Sequence, residues 1–225
     1  MKEELTRYDR DTGYWNEYYK KTAQNELRPS RFAEDITGYL KEDGTLLEFG
    51  CGNGRDSLFF RHLGLSVTGI DASDYTIHHL QKTHAQEGLI FKCDDFTSPQ
   101  LVLTQEYDYV YARFVLHAID EIQERTFLKN ANKALIEKGL LFIEVRTVND
   151  DIYGLGEQVG RHAFIYNNHY RRFVEKEELA ARIDAAGGFV IRYMEEKRGF
   201  APAGGEDPVI LRVILEKKQC GIESV

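Results

Sequence analysis

Residues 46–57 read LLEFGCGNGRDS. Leu46-Leu47-Glu48-Phe49 has the apolar character of a buried strand, and a helix is predicted over Asp56–Leu63. Between them stand Gly50, Gly52 and Gly54. A ligand lying across a strand end must approach the backbone closely, and side chains would block it. Glycine leaves that room and permits the positive φ angles of such a turn. A dinucleotide fingerprint, G-x-G-x-x-G, would place its third glycine at position 55, where this chain has Arg55. The pattern is instead E-x-G-x-G-x-G, with Glu48 just before the loop, and the following helix N-terminus is poorly shaped for a pyrophosphate.

On either side of this stretch, strand-like and helix-like blocks alternate, the pattern of a parallel sheet covered on both faces. Strands are predicted at Ser66–Ile70, Leu89–Lys92, Tyr107–Tyr111, Gly139–Arg146, Phe189–Met194 and Val209–Leu215. Helices are predicted from Pro29-Ser30 through RFAEDITGYL, and over Tyr75–Gln86, Glu121–Ile136 and Glu175–Ala186. Gly187-Gly188 ends the last of these where a helix C-terminus favours glycine. Ala201–Asp207 reads as a hairpin loop, so the sheet ends in an antiparallel pair. The fold class expected is α/β, a mostly parallel seven-stranded sheet with an antiparallel final strand and helices on both faces. Residues 12–23 add a helix with Tyr14, Trp15, Tyr18 and Tyr19 at helical spacing. Residues 147–173 are too long for an ordinary connection. The organisation expected is one domain over 1–225, with a helical lid at 1–43 and a substrate cap at 147–173.

Composition narrows the functional classes. The chain has 225 residues, 29 Lys+Arg against 37 Asp+Glu, and a formal net charge of −8. That surplus of acid opposes charge-driven binding to duplex nucleic acid and a polybasic membrane anchor. Cys51, Cys93 and Cys220 form neither a disulfide framework nor a zinc site, so no metal is expected. No apolar run suits a signal peptide or a membrane helix. A soluble, cytoplasmic protein is the expectation.

Glu48-Phe49-Gly50-Cys51-Gly52-Asn53-Gly54 resembles motif I of the class I S-adenosylmethionine (SAM) dependent methyltransferases, a family with a Rossmann-like fold. Further motifs follow in order. Val67-Thr68-Gly69-Ile70-Asp71-Ala72-Ser73 resembles the second-strand motif, and the resemblance assigns Asp71 to the ribose hydroxyls. Asp71 lies 21 residues beyond Gly50, the reach of one strand–helix–strand unit. Cys93-Asp94-Asp95-Phe96 resembles the third-strand motif, where one Asp meets the adenine amino group; Asp95, directly before Phe96, is favoured over Asp94. Tyr109 to His117, YVYARFVLH, resembles the fourth-strand region closing over the methionine part, which draws in Arg113. GCGNGRDSLFF is similar to the small-molecule branch that includes tellurite-resistance and thiopurine methyltransferases. Asp is also favoured at helix N-caps, so a capping role stands beside the ligand role for Asp71 and Asp95.

The resemblance implies SAM as methyl donor, S-adenosylhomocysteine as product and a small-molecule acceptor. It also places a helix over the SAM site, where Trp15 would face the cationic sulfonium and Tyr19 the acceptor. Arg31 is a candidate for the methionine carboxylate. His117, just past the fourth strand, is a candidate base, and Arg146 ends the fifth strand at the same crevice. Between Glu157 and Glu175 there is no acidic residue, while Arg161, Arg171, Arg172, His162 and His169 fall there. His169, Tyr170, Arg171 and Arg172 therefore read as a cap that captures an anion. The acceptor expected is a small anionic metabolite methylated on oxygen. An RNA or protein methyltransferase and a non-catalytic SAM-binding partner stay open as alternatives.

Overall fold

The structure, a computed structural model, describes residues 13, 17, 27–103, 105–167 and 169–219. Tyr14, Trp15, Tyr18 and Tyr19 of the expected lid helix lie outside the described residues.

In chain order the elements begin with α1 (Arg31–Asp35), a 3-10 turn (Thr37–Tyr39), β1 (Thr45–Phe49), α2 (Arg55–His62) and β2 (Ser66–Asp71). Next come α3 (Asp74–Thr83), β3 (Leu89–Cys93), β4 (Tyr107–Arg113), a 3-10 turn (Leu116–Ala118), α4 (Glu121–Ala134) and β5 (Leu135–Arg146). The chain continues through β6 (Glu157–Gly160), β7 (Ala163–Tyr166), β8 (His169–Arg172), α5 (Lys176–Ala186), β9 (Phe189–Lys197) and β10 (Ile210–Lys217).

The main sheet has the order β3-β2-β1-β4-β5-β10-β9. Strands β1 to β5 pair in parallel, and β10 runs antiparallel to both β5 and β9. Because side chains alternate along a strand, each central strand feeds two cores. Leu47, Val110 and Ile143 pack with Phe127, Leu128 and Leu179 from α4 and α5. Leu46, Tyr111 and Phe142 pack on the other face with Phe32, Phe60, Ile77 and Leu80 from α1, α2 and α3.

Local signals explain the helix starts. Ser30 caps α1 by accepting from the Ala33 N–H, and Ser73 caps α3 by accepting from Thr76. Asp120 and Gln123 form a reciprocal capping box on α4. Phe127, Ala131 and Ala134 then recur on the buried face of α4.

Two elements differ from the sequence expectation. β5 starts at Leu135, directly after α4, and turns through Lys138 at a φ of 63° before its main run. Residues 157–172, expected as one long connection, fold into a three-stranded antiparallel sheet, β6-β7-β8. Its strands are only four residues each, too short for hydrophobic alternation to announce them.

Candidate active site

From β1 the sheet grows through β2 to β3, then resumes on the other side with β4 and β5. Such a reversal opens a crevice above the C-terminal ends of β1 and β4. The glycine loop lies at that point. Gly50, Gly52 and Gly54 have φ angles of 69°, 51° and 75°, a conformation L side chains rarely adopt. The Gly50 and Cys51 N–H groups both donate to the Ile70 carbonyl, at 2.8 and 3.0 Å. A Cβ on Gly50 would overlap Cγ1 of Val115. Asn53 is half-buried, with a long 3.5 Å contact from the Arg55 N–H to its Oδ1.

Asp71 is buried at the tip of β2. Its Oδ2 accepts from the Gly52 N–H and its Oδ1 from the Ser73 N–H, each at 2.9 Å. Burial pushes its carboxyl above the ordinary range, opposed by those two N–H donors. The cap of α3 is Ser73, so Asp71 is not spent on that role. A carboxylate has about four lone-pair sites, so two remain for a ligand. Ala72 beside it is half-buried, and its carbonyl accepts weakly from the Cys93 thiol.

Asp94, Asp95 and Phe96 are half-buried at the end of β3. Asp94 Oδ1 accepts from the Asp95 N–H at 2.8 Å. Asp95 Oδ1 accepts from both the N–H and hydroxyl of Thr97, at 2.8 and 2.7 Å. Neither caps a helix, and each keeps its Oδ2 outside these turns. Phe96 stacks on Phe49 at 5.6 Å between centroids, and Asn130 donates to its carbonyl at 2.8 Å.

Beneath the loop lies a polar network that the sequence analysis did not identify. Asp56 is buried; its Oδ1 accepts from the Ser30 N–H at 2.7 Å, and its Oδ2 from the Ser30 hydroxyl at 2.8 Å and the Tyr111 hydroxyl at 3.0 Å. Glu48 is buried beside it and accepts from the Ser57 hydroxyl on α2. Burial, then the Asp56 charge, raise the Glu48 carboxyl well above its usual range, while the Ser57 bond opposes them. Glu48 is thus tied to the first turn of α2. Cys51 is buried too, and burial raises its thiol.

β4 is followed by Phe114 at a φ of 56°, rare backbone for an aromatic residue. The bend seats Val115 on Gly50 and starts the turn bearing His117. The Arg113 Nε donates to Glu144 Oε1 at 2.7 Å, with its guanidinium over the Phe114 ring at 4.1 Å. Glu144 Oε2 accepts from Arg212 at 2.8 Å, and Arg212 also binds Asp35 of α1 at 2.7 Å. Arg31, the candidate for the methionine carboxylate, donates from Nη1 to the Gly199 carbonyl at 2.8 Å, pinning α1 to the β9–β10 turn.

His117 is buried, and its ring lies edge-on to His169 of β8 with centroids 6.1 Å apart. Burial lowers the His117 pKa well below 6.5, and His169, Arg171, Arg146 and Arg113 push it the same way. His169 falls to about 4 through burial and Arg171. Both rings are therefore neutral at pH 7. Guanidiniums from β4, β5 and β8 thus all disfavour a charge on the His117 ring. Arg171 is half-buried on the same strand face as His169, two residues along.

The remaining cap residues correct the expectation of a wholly anion-binding segment. Arg172 points to the opposite face from Arg171 and is buried; its Nε donates to the Ile119 carbonyl at 2.8 Å, and it pairs with Glu124. Tyr170 is buried on that same opposite face. Arg161 pairs with Glu178 of α5. Arg146, expected at the catalytic crevice, binds Asp150 at 3.1 Å and Glu206 at 3.3 Å, bracing the start of the insertion. Sequence spacing reveals neither acid as a partner, because Glu124 and Glu206 are distant along the chain.

The doubly wound sheet, glycine turn and strand-end carboxylate define a Rossmann-like class I methyltransferase fold. Residues 18–192 match the methyltransferase domain family, and the chain belongs to it. It is 30% identical over 161 residues to a ubiquinone biosynthesis O-methyltransferase of Caulobacter vibrioides, covering 68% of this chain and 62% of that one. It is 25% identical over 107 residues to the "Probable S-adenosyl-L-methionine-dependent methyltransferase TehB" of Haemophilus influenzae, covering 48% and 37%. A solved SAM-dependent methyltransferase of Methanosarcina mazei superposes with a TM-score of 0.70 at 20% identity, covering 82% of this chain and 97% of that one. The chain spans about three fifths of the length of the Caulobacter relative. Among the described residues no helix is long and apolar enough to cross a membrane, and no group of three or more His, Cys, Asp or Glu is placed to hold a metal ion.

Proposed function

We propose that this protein is a SAM-dependent methyltransferase that methylates an oxygen of a small anionic metabolite. The observation that supports the acceptor class is the positive field that Arg171, Arg146 and Arg113 set up at His117, beside His169 of the cap. We assign Arg171, which shares a face of β8 with His169, to the acceptor's anionic group, by charge-assisted hydrogen bonds.

The residues present suit the donor. The positive-φ glycines leave the loop backbone open, Asp71 retains two acceptor sites for vicinal hydroxyls, and Asp94, Asp95 and Phe96 offer a polar edge beside an aromatic face. SAM, when bound, supplies an activated methyl on a sulfonium, so the protein's task is alignment and exclusion of water. Burial and the neighbouring guanidiniums disfavour a protonated His117 ring, so the residue suits orienting the acceptor rather than taking its proton. A phosphate or carboxylate oxygen arrives without a proton and needs no base.

The test uses SAM labelled in its methyl group, incubated with the protein and charge-fractionated metabolites, with Asp71→Ala as control. Label is expected in anionic fractions and absent with the control. Label confined to neutral or cationic fractions, or to RNA or protein, overturns the acceptor class.

A further inference from the structure

We propose that Arg172 is a positioning residue: it locks the last cap strand to the turn after β4 and thereby holds His117 against His169. The inference rests on His117 facing the acceptor. Arg172 reaches out of β8 and donates from Nε to the Ile119 carbonyl at 2.8 Å and from Nη2 to the Leu116 carbonyl at 3.4 Å. Those carbonyls bracket His117 from both sides along the chain. The same guanidinium pairs with Glu124, which is fully buried on α4.

Glu124 is held in turn by Arg182 of α5, Nε to Oε1 at 2.5 Å. Arg182 also reaches Glu178 at 3.4 Å, one helical turn earlier. Glu178 takes Arg161 and, at 3.7 Å, His162 from the β6–β7 turn. One ladder of charges along α5 therefore fastens both the first turn and the last strand of the cap. At its inner end Arg172 is the rung that also touches the turn carrying His117. Adjacent residues of β8 point to opposite faces, so Arg172 fixes the strand while Arg171 and His169 share its other face, where His169 meets His117. The planar guanidinium spans two carbonyls and a carboxylate at once, which a lysine ammonium on a flexible stem does not.

The experiment compares wild type with Arg172→Lys and Glu124→Gln, each checked by thermal unfolding. The chain is labelled with carbon-13 at histidine Cε1 and titrated by NMR. The groups facing His117 are His169 and Arg171 on β8, Arg146 on β5 and Arg113 on β4. In Arg172→Lys the His117 and His169 resonances are expected to move and to titrate closer to a solvent-exposed histidine, with affinity for S-adenosylhomocysteine within about twofold of wild type. With an accepted substrate, kcat falls about 10- to 100-fold, the scale of a misplacement near 1 Å. Glu124→Gln keeps the carbonyl bonds and is expected to lower the melting temperature while leaving His117 nearly in place.

Unchanged histidine titrations in Arg172→Lys overturn the proposal, since a purely stabilising residue would shift only the melting temperature. Hydrogen exchange on the unaltered protein gives a readout that needs no folded variant. The amides of Leu116–Ile119 and of β8 should open together, and independent opening also overturns the proposal. Absence of methyl transfer by wild type would count against the acceptor reading alone, because the NMR and exchange arms need no acceptor.

Discussion

Replacing Gly50 by alanine tests the loop geometry most directly. The residue sits at a φ of 69°, where an L side chain costs about 1–2 kcal/mol. The new methyl also overlaps Val115 Cγ1, and Val115 is itself buried at 6% exposure in the main core, so it has little room to retreat. Overpacking of that kind costs about 1–3 kcal/mol. The sum is roughly 2–5 kcal/mol, and at about 2–4 °C per kcal/mol the melting temperature should fall by about 4–20 °C. Val115→Ala alone should cost about 2 kcal/mol for the lost apolar carbons. In the double variant the alanine methyl takes the space left by Cγ1, so the overlap vanishes while the backbone cost stays. The double variant should then be about 1–3 kcal/mol more stable than the sum of the singles. Thermal and denaturant unfolding of all four proteins closes the cycle. Additivity within about 0.5 kcal/mol would refute the claimed contact.

Four further outcomes are expected. Asp71→Asn offers one acceptor oxygen where two N–H groups need one each, so affinity for S-adenosylhomocysteine should fall about 10- to 100-fold by calorimetry. Arg171→Ala should raise the acceptor KM about 10- to 100-fold and leave donor affinity within about twofold. Tyr111→Phe removes one of three donors to buried Asp56 and should cost about 1–2 kcal/mol in denaturant unfolding. His169 has a folded pKa of about 4, below its ordinary 6.5, so the unfolded chain binds more protons between those values. Stability should therefore fall as pH drops from 6.5 towards 4, by roughly 3 kcal/mol from this residue, and His169→Gln should flatten the slope.

The sheet and the glycine loop were legible because each rests on short-range pattern. Leu46–Gly54 carries strand, turn and backbone demand within nine positions, and the α3 and α4 starts carry their own caps. The cap was legible only as charge. Strand alternation shows that Arg171 and Arg172 face opposite ways, but the phase depends on what lies beneath β8. That depends on Glu124, 48 residues earlier. Ser30, Asp56 and Tyr111 were invisible for the same reason, being brought together across 26 and 55 positions. Phe114 had no signal at all, since a positive φ is not a preference of an aromatic residue.

The place of β10 between β5 and β9 has a consequence for the order in which the chain can fold. Strands β1 to β5 complete their parallel pairing with residues up to 146, yet the outer edge of β5 is covered only when residues 210–217 arrive. During synthesis, at about 5–20 residues per second, the Leu140–Arg146 run of β5 waits several seconds with an open edge. Such an edge is a template for pairing with other chains. Nascent chains halted between β5 and β10 should therefore aggregate or recruit chaperones, and release through residue 217 should end that vulnerability.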